Sequence, residues 1–391
     1  MSEIQLRVLP SLSEIPADQW DLCAAGGAAR PEPFVSHAFL LALEESGCVG
    51  RRAGWLPQHL VMEDVLGQAA GVVPAYLKSH SRGEYVFDQG WAEAYEQAGG
   101  AYYPKLQVAV PFSPVTGRRL LVRPGVDAPA HQDALAAGLV QLARQRQASS
   151  VHVTFSTQEE WDRLGSLGFL QRVDQQFHWV NAGYASYEDF LEALASRKRK
   201  TLRRERREAL ANGIEIEWLT GPAITEAAWD AFFAFYQDTG ERKWGQPYLN
   251  RAFFSLLGAR MPDQVLLVMA KRAGRYVAGA LNLIGADTLY GRYWGCIEEH
   301  PFLHFEVCYH QAVDFAIARG LKVVEAGAQG EHKLARGYLP RTTYSAHWIA
   351  DAGLRRGVAH YLARERSYVE QAGEELAAHG PFRRGAVPDG D

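Results

Sequence analysis

Two short stretches hold most of the chemistry this chain can offer. The first, Ser196 to Asn212, reads SRKRKTLRRERREALAN, and between Arg197 and Arg207 it sets Arg197, Lys198, Arg199, Lys200, Arg203, Arg204, Arg206 and Arg207 against the single acid Glu205. These are good helix formers, and Gly213 is a natural stop. On a helix, Arg199, Arg203 and Arg206 project from adjacent faces with Leu202 between them. So dense a cluster is either a solvated helix face or a site for a polyanion: a carrier's phosphates, a nucleic acid or a lipid surface. The second stretch, Glu325 to Lys333, reads EAGAQGEHK. It starts as a strand and leaves through glycines, which let a backbone approach a ligand closely. Glu331 and His332 are candidate proton acceptors, and an imidazole titrates near neutrality unaided. His332 also reads as a structural histidine in a turn. Lys333 is a candidate cation for an oxyanion or a phosphate. Arg336 is either a phosphate or carboxylate clamp or a helix-terminal charge.

Further candidates are more dispersed. Arg292 lies in a strand between Tyr290 and Trp294, where a charge needs a partner, and Glu306 is the expected one, as a structural pair or a substrate-binding pair. Lys243, Trp244 and Tyr248 form an aromatic and basic loop able to close over an acceptor, though Trp244 reads equally as a core anchor. Earlier in the chain Lys78, His80, Asp88, Tyr103 and Lys105 share a polar, aromatic region of the substrate-binding kind. His304 and His310 have the wrong separation for a metal pair, and no metal site is expected. No Gly-x-Ser-x-Gly elbow, P-loop or dinucleotide fingerprint is present.

The elements that must position these groups come from a chain of 391 residues, 47% hydrophobic and 22% charged, with a net charge of −4. That is enough for two domains with sizeable cores, and it excludes a generic nucleic-acid coat, so any anion site is local. Cys23, Cys48, Cys296 and Cys308 are scattered and read as reduced thiols. The first residues lack a secretion signal and no run suits a membrane span, so a cytoplasmic protein without an integral membrane segment is expected.

Along the chain, Ala130–Gln147 has a helical stripe and Ser149–Phe155 a strand. A new unit opens at Phe177-His-Trp-Val180, placing domains at 1–175 and 176–380 with a flexible tail from 381 to 391. Ser186 with Asp189 resembles a capping box ahead of the basic helix. Val265–Lys271, Tyr276–Ile284 and Leu289–Trp294 read as a three-strand meander. A helix from Phe305 to Arg319, a strand at Val323–Ala326, one more at His347–Ile349 and a terminal helix from Arg355 to Ala378 follow. This is the element order of a GNAT acyltransferase domain, and the first half reads as a looser copy of it.

Particular residues extend the likeness. Lys198-Arg199-Lys200-Thr-Leu-Arg-Arg204 with Ala209, Gly213 and Ile214 resembles the opening of the second domain in the Fem-type aminoacyltransferases, as does His332-Lys-Leu-Ala-Arg-Gly-Tyr338 their F-K-x-x-F-G segment. Nearly the whole chain is similar to the Fem-like group of predicted bacterial N-acyltransferases. The matching stretches are Tyr103–Gln107, Pro111–Gly117, Lys243–Tyr248, Arg292–Gly295, Leu303–Tyr309 and Gly330–Gly337. The resemblance implies an α+β fold of two tandem GNAT-like domains, each a mixed, mainly antiparallel sheet flanked by helices. It also implies transfer of an acyl or aminoacyl group, with acyl-CoA or aminoacyl-tRNA as co-substrate and no tightly bound cofactor. The acceptor would be an amine on a small molecule or peptide, a cell-wall precursor among them. From the Fem-type enzymes the oxyanion or phosphate role is carried over to Lys333 alone. In an ordinary acetyltransferase the pyrophosphate sits at the helix after the fourth strand. Here Gly295–Glu306 lacks the glycine pattern and places Glu298, Glu299 and Glu306 there. A phosphate beside a carboxylate costs about 1 kcal/mol even in water. The basic helix is the better phosphate site, with Lys198, Arg199, Arg203, Arg204 and Arg336 as donor contacts. The rival class is a non-catalytic module that docks RNA or anionic lipid through the same helix.

Overall fold

The computed structural model describes residues 5–243, 247–327, 330–378 and 380–383, without the side chains of 241–243, 331, 374, 377 and 378. Its strands, in chain order, are β1 (Gln5–Leu9), β2 (Trp55–Pro57), β3 (His59–Glu63), β4 (Ala69–Val73), β5 (Ala75–Lys78), β6 (Lys105–Val108), β7 (Leu121–Val122) and β8 (Ser150–Ser156). They continue with β9 (Leu170–Val180), β10 (Ile214–Thr220), β11 (Val265–Arg272), β12 (Arg275–Ile284), β13 (Thr288–Cys296), β14 (Val323–Glu325) and β15 (Leu339–Ile349).

By internal contacts one compact unit comprises Met1–Asp174 with Thr342–Gln371, and the other Gln175–Arg341 with Ala372–Asp391. Residues 342–371, expected from sequence in the second domain, therefore belong with the first. The reason is non-local. His347 on β15 is the register partner of His152 on β8, and Ile349, Val358 and Leu362 share a core with Trp91 and Tyr102. Local periodicity shows that a strand and a helix exist there, but not what they pair with. Of the expected tail, residues from 384 onward lie outside the described residues, whereas Phe382 forms a bridge with Leu194.

The first unit has a small antiparallel sheet, β1-β3-β4-β7, and a second in which β2, β5, β6, β8 and β15 follow one another. Only the β6–β8 pairing is parallel there. The helix Ala128–Gln145 lays Leu135, Leu139 and Leu142 onto this core, the stripe its periodicity predicts. Tyr85–Phe87 is not a strand, and within the apolar run Tyr102–Pro114 only Lys105–Val108 is one.

In the second unit β10-β11-β12-β13-β14-β9 form one sheet, antiparallel except for β13–β14. The expected meander is β11–β13. β11 opens with VLLVMA, every residue buried, because helices cover both its faces. Leu266, Val268 and Ala270 meet Val313 and Phe315 of one helix, while Met269 lies by Phe232 of the helix Glu226–Lys243. That second helix comes close enough to β13 that a Cβ on Gly295 would fall 2.0 Å from the Phe235 carbonyl oxygen. Backbone cannot swing aside as a side-chain tip can. Gly295→Ala is expected to cost at least the upper end of the ~1–3 kcal/mol typical of overpacking, read as a lowered urea midpoint.

Candidate functional site

Ser196–Ala209 is a helix, as its composition predicts, and Asn212 beyond it is left-handed at φ 56. Ser186 caps the preceding helix by accepting from the Asp189 N–H at 3.1 Å, and the Asp189 carboxylate accepts from Ala185 N–H at 3.2 Å. Leu202, Glu205 and Ala209 form the buried face of the basic helix. The N-terminal part of that face, with the residues flanking it, opens on a cavity of about 390 Å³ lined by Arg197, Lys198, Thr201, Leu202 and Glu205 and, from the turn Glu331–Arg336, by Ala335 and Arg336. A wider depression of about 510 Å³ adjoins Arg197, Thr201 and Ser196 and adds Lys200 and Arg204.

The expected donor contacts thus divide. Lys198 and Arg336 line the cavity and Arg204 the depression. Arg203 is paired with Glu188, Arg204 also lies 3.7 Å from Glu208, and Arg199 is half-buried. Arg336 is held from three directions. Its guanidinium donates to Glu205 at 2.8 Å and to the His332 carbonyl at 2.7 Å, and stacks 3.4 Å from the centre of the Phe305 ring. Glu205, the one acid among the cations from Arg197 to Arg207, is therefore the anchor of the turn that carries His332 and Lys333. Burial pushes the Glu205 carboxyl up, but its contacts with His310 and Arg336 hold it below its ordinary value.

Beneath this lies a helix built in three parts, Leu303–Phe305, a π turn over Glu306–His310, and Gln311–Ala318. The extra residue of a π turn lets neighbouring positions both face inward. Tyr309 bonds His332 Nε2 through its hydroxyl at 3.0 Å, while His310 Nδ1 meets the Tyr187 hydroxyl at 2.6 Å and its Nε2 lies 3.6 Å from Glu205. Tyr309, Tyr187, Phe305 and His310 escaped the sequence reading as site residues, since nothing in their spacing marks a π turn.

Lys333 is 2% exposed. Its ammonium donates to the carbonyls of Ala326 at 2.6 Å and Gly327 at 2.9 Å, so the glycine exit from β14 folds over it. Burial, with the nearby Arg292 charge, pulls its pKa down from 10.5 to about 8. His332 is exposed. The Glu331 and Lys243 side chains, and all of Trp244, lie outside what is described, and Tyr248 is 38% exposed.

Two expected roles are corrected. Arg292 pairs with Glu325, at 2.5 Å, and not with Glu306. The parallel register sets Tyr290 opposite Glu325, which brings the two charges together across neighbouring strands. Glu306, fully buried, accepts from Arg206 at 3.1 and 2.9 Å and from Gln311 at 2.7 Å. Trp294 is half-buried against His304. In the first unit, Tyr103 bonds Ser81 at 2.8 Å, whereas Lys105 is wholly buried and donates to Ser81, Glu84 and Asp88 at 2.8, 2.6 and 2.5 Å. Lys105 is the centre of an internal ion cluster rather than an accessible contact. Among the described residues no group of acids, histidines and cysteines is placed to hold a metal, and no helix is long and apolar enough to cross a membrane.

The fold is that of two tandem GNAT-like domains. The chain belongs to the FemAB-like family, described as peptidoglycan biosynthesis/recognition, which it matches over residues 11–384. Among solved structures it is similar to FemX, at 12% identity and TM-score 0.56, over 88% of this chain and 98% of that one. It is also similar to L-PGS from Bacillus licheniformis, at 10% identity and TM-score 0.51, over 82% and 95% of the two chains. A third is the C-terminal domain of a putative lysylphosphatidylglycerol synthetase from Agrobacterium fabrum, at 10% and 0.53, over 90% and 97%. At such identities the likeness is one of fold. No curated protein matches the chain.

Proposed function

We propose that the chain is an N-acyltransferase whose activated donor carries phosphates, either acyl-CoA or aminoacyl-tRNA. One observation carries the reading: cations of the basic helix and the turn bearing His332 and Lys333 line the same cavity. Phosphate charge at Arg197 and Lys198 would bring the donor's reactive end toward that turn. There the amine attacks the acyl carbonyl, the C–N bond forms, and the thioester or ester bond to the donor breaks. His332 or Glu331 accepts the amine's proton, and Lys333, with two of its three N–H groups committed, offers the third to the oxyanion. The acceptor is an amine on a small molecule or peptide, and a cell-wall precursor suits the family description.

Binding of CoA and of charged and uncharged tRNA tests the reading. The double variant Arg197→Ala/Lys198→Ala is expected to weaken the bound donor about tenfold and to lower its salt-dependence slope by about two. An unchanged affinity refutes the cavity as the donor site. The open depression at Lys200 and Arg204 favours a second reading, a non-catalytic module for RNA or anionic lipid. Salt-sensitive binding without turnover would decide for it.

A further inference from the structure

Beside the basic cavity lies a run of planar side chains of which the scheme above uses only His332. Arg336 lines the cavity with one part of its side chain and covers the Phe305 ring with its guanidinium, 3.4 Å from the centroid. From Phe305 the surface continues to His332, with ring centroids 5.6 Å apart, and to His304, at 5.5 Å. His304 lies 6.2 Å from His332 and 5.1 Å from Trp294. His332 is exposed, and Trp294, His304 and Phe305 are half-buried, so this is not core. Glu205, the partner of Arg336, and Glu306, next to Phe305 in the chain, are each paired with an arginine, Glu306 with Arg206.

Scattered exposed aromatics mean little, but contiguous ones beside a cationic cavity have a specific use. Each ring offers a flat face of a kind on which nucleobases stack, and a guanidinium plane adds a cation–π contribution. A lipid chain would want an aliphatic groove, and what borders these rings is aromatic or cationic: Trp294, Phe302, Tyr309 and Arg336. We infer that His304, Phe305 and His332 form a stacking platform for a purine base of the donor, held next to the phosphates bound at Arg197 and Lys198. The inference rests on the cavity being the phosphate site. Adenosine beside phosphate is common to CoA and to the acceptor end of tRNA, so the platform serves either donor.

The test measures binding of inorganic pyrophosphate, adenosine 3′,5′-bisphosphate and the trinucleotide CCA to the full chain and to His304→Ala, with a melting curve to confirm that the variant folds. His304 belongs to the platform and lies on a different segment from the turn 331–336, so the melting curve separates loss of stacking from loss of fold. The bisphosphate or the trinucleotide should bind roughly tenfold more tightly than pyrophosphate, and His304→Ala should erase that advantage while leaving pyrophosphate unchanged. The better-bound nucleotide assigns the source, CoA or tRNA. Equal binding of all three to the natural chain, or an advantage that survives in His304→Ala, overturns the platform and leaves the phosphate site standing. Failure of all three to bind at millimolar concentration overturns both.

Discussion

Lys333→Met is expected to keep the fold and to lower turnover by roughly 10²–10³-fold, the usual loss when a single oxyanion donor is removed. Methionine fills the lysine stem without its charge, so packing under Ala326 and Gly327 is preserved. Release of thiol from acyl-CoA, or loss of aminoacyl ester from tRNA, is the readout, with whichever donor binds. Full retained turnover would end the proposed role. A second signature separates a buried cation from a spectator. The folded pKa of about 8 lies below the ordinary 10.5, so between those values the unfolded chain keeps a proton that the folded one has shed. Stability therefore rises with pH across that window, by about 3 kcal/mol at full effect. Lys333→Met should lack this rise in urea titrations at pH 7.5 and 10. Turnover that depends on the ammonium should fall in the natural chain as pH passes 8.

Lys105→Met is expected to produce the largest loss of stability, about 3–5 kcal/mol, because it strands two carboxylates in the first unit. Glu84 and Asp88 are 3% and 2% exposed, and Lys105 is the cation they share. Lys78 lies 3.4 Å from Glu84 but its own pKa is drawn down by burial to about 7, which leaves it a weak substitute. Urea unfolding of the full chain measures the loss. Adding Glu84→Gln and Asp88→Asn to Lys105→Met should restore much of it, since an apolar or neutral replacement of a whole buried ion cluster is often tolerated. A single variant within 1 kcal/mol of the natural chain would mean that water reaches the cluster.

The two cases differ in how far they could be read beforehand. Lys333 stands in a glycine-flanked segment whose residue types announce chemistry, and the resemblance points to the same residue. Lys105 looked similar, a basic residue among aromatics, but β5 and β6 pair it with Lys78 and close Glu84 and Asp88 around its ammonium. Composition cannot tell a lysine facing a ligand from one sealed among acids. Glu205 shows the converse. A lone acid in a basic run looks incidental until the turn 331–336 is folded against it and Arg336 becomes its partner.

What the order of residues determined alone was local: the basic helix, the capping box at Ser186, the meander β11–β13, the helix stripe on Leu135, Leu139 and Leu142, and the family motifs. Each depends on contacts within a few residues or on a short spacing. What only the tertiary structure decided was partnership over distance. It paired Arg292 with Glu325 through a parallel register, turned Arg206 onto Glu306, joined residues 342–371 to the first unit, and set Arg336 between Glu205 and Phe305. Charges are paired by register and by helix rotation, where a one-residue slip or one π turn redirects every side chain, and neither quantity is written in local periodicity.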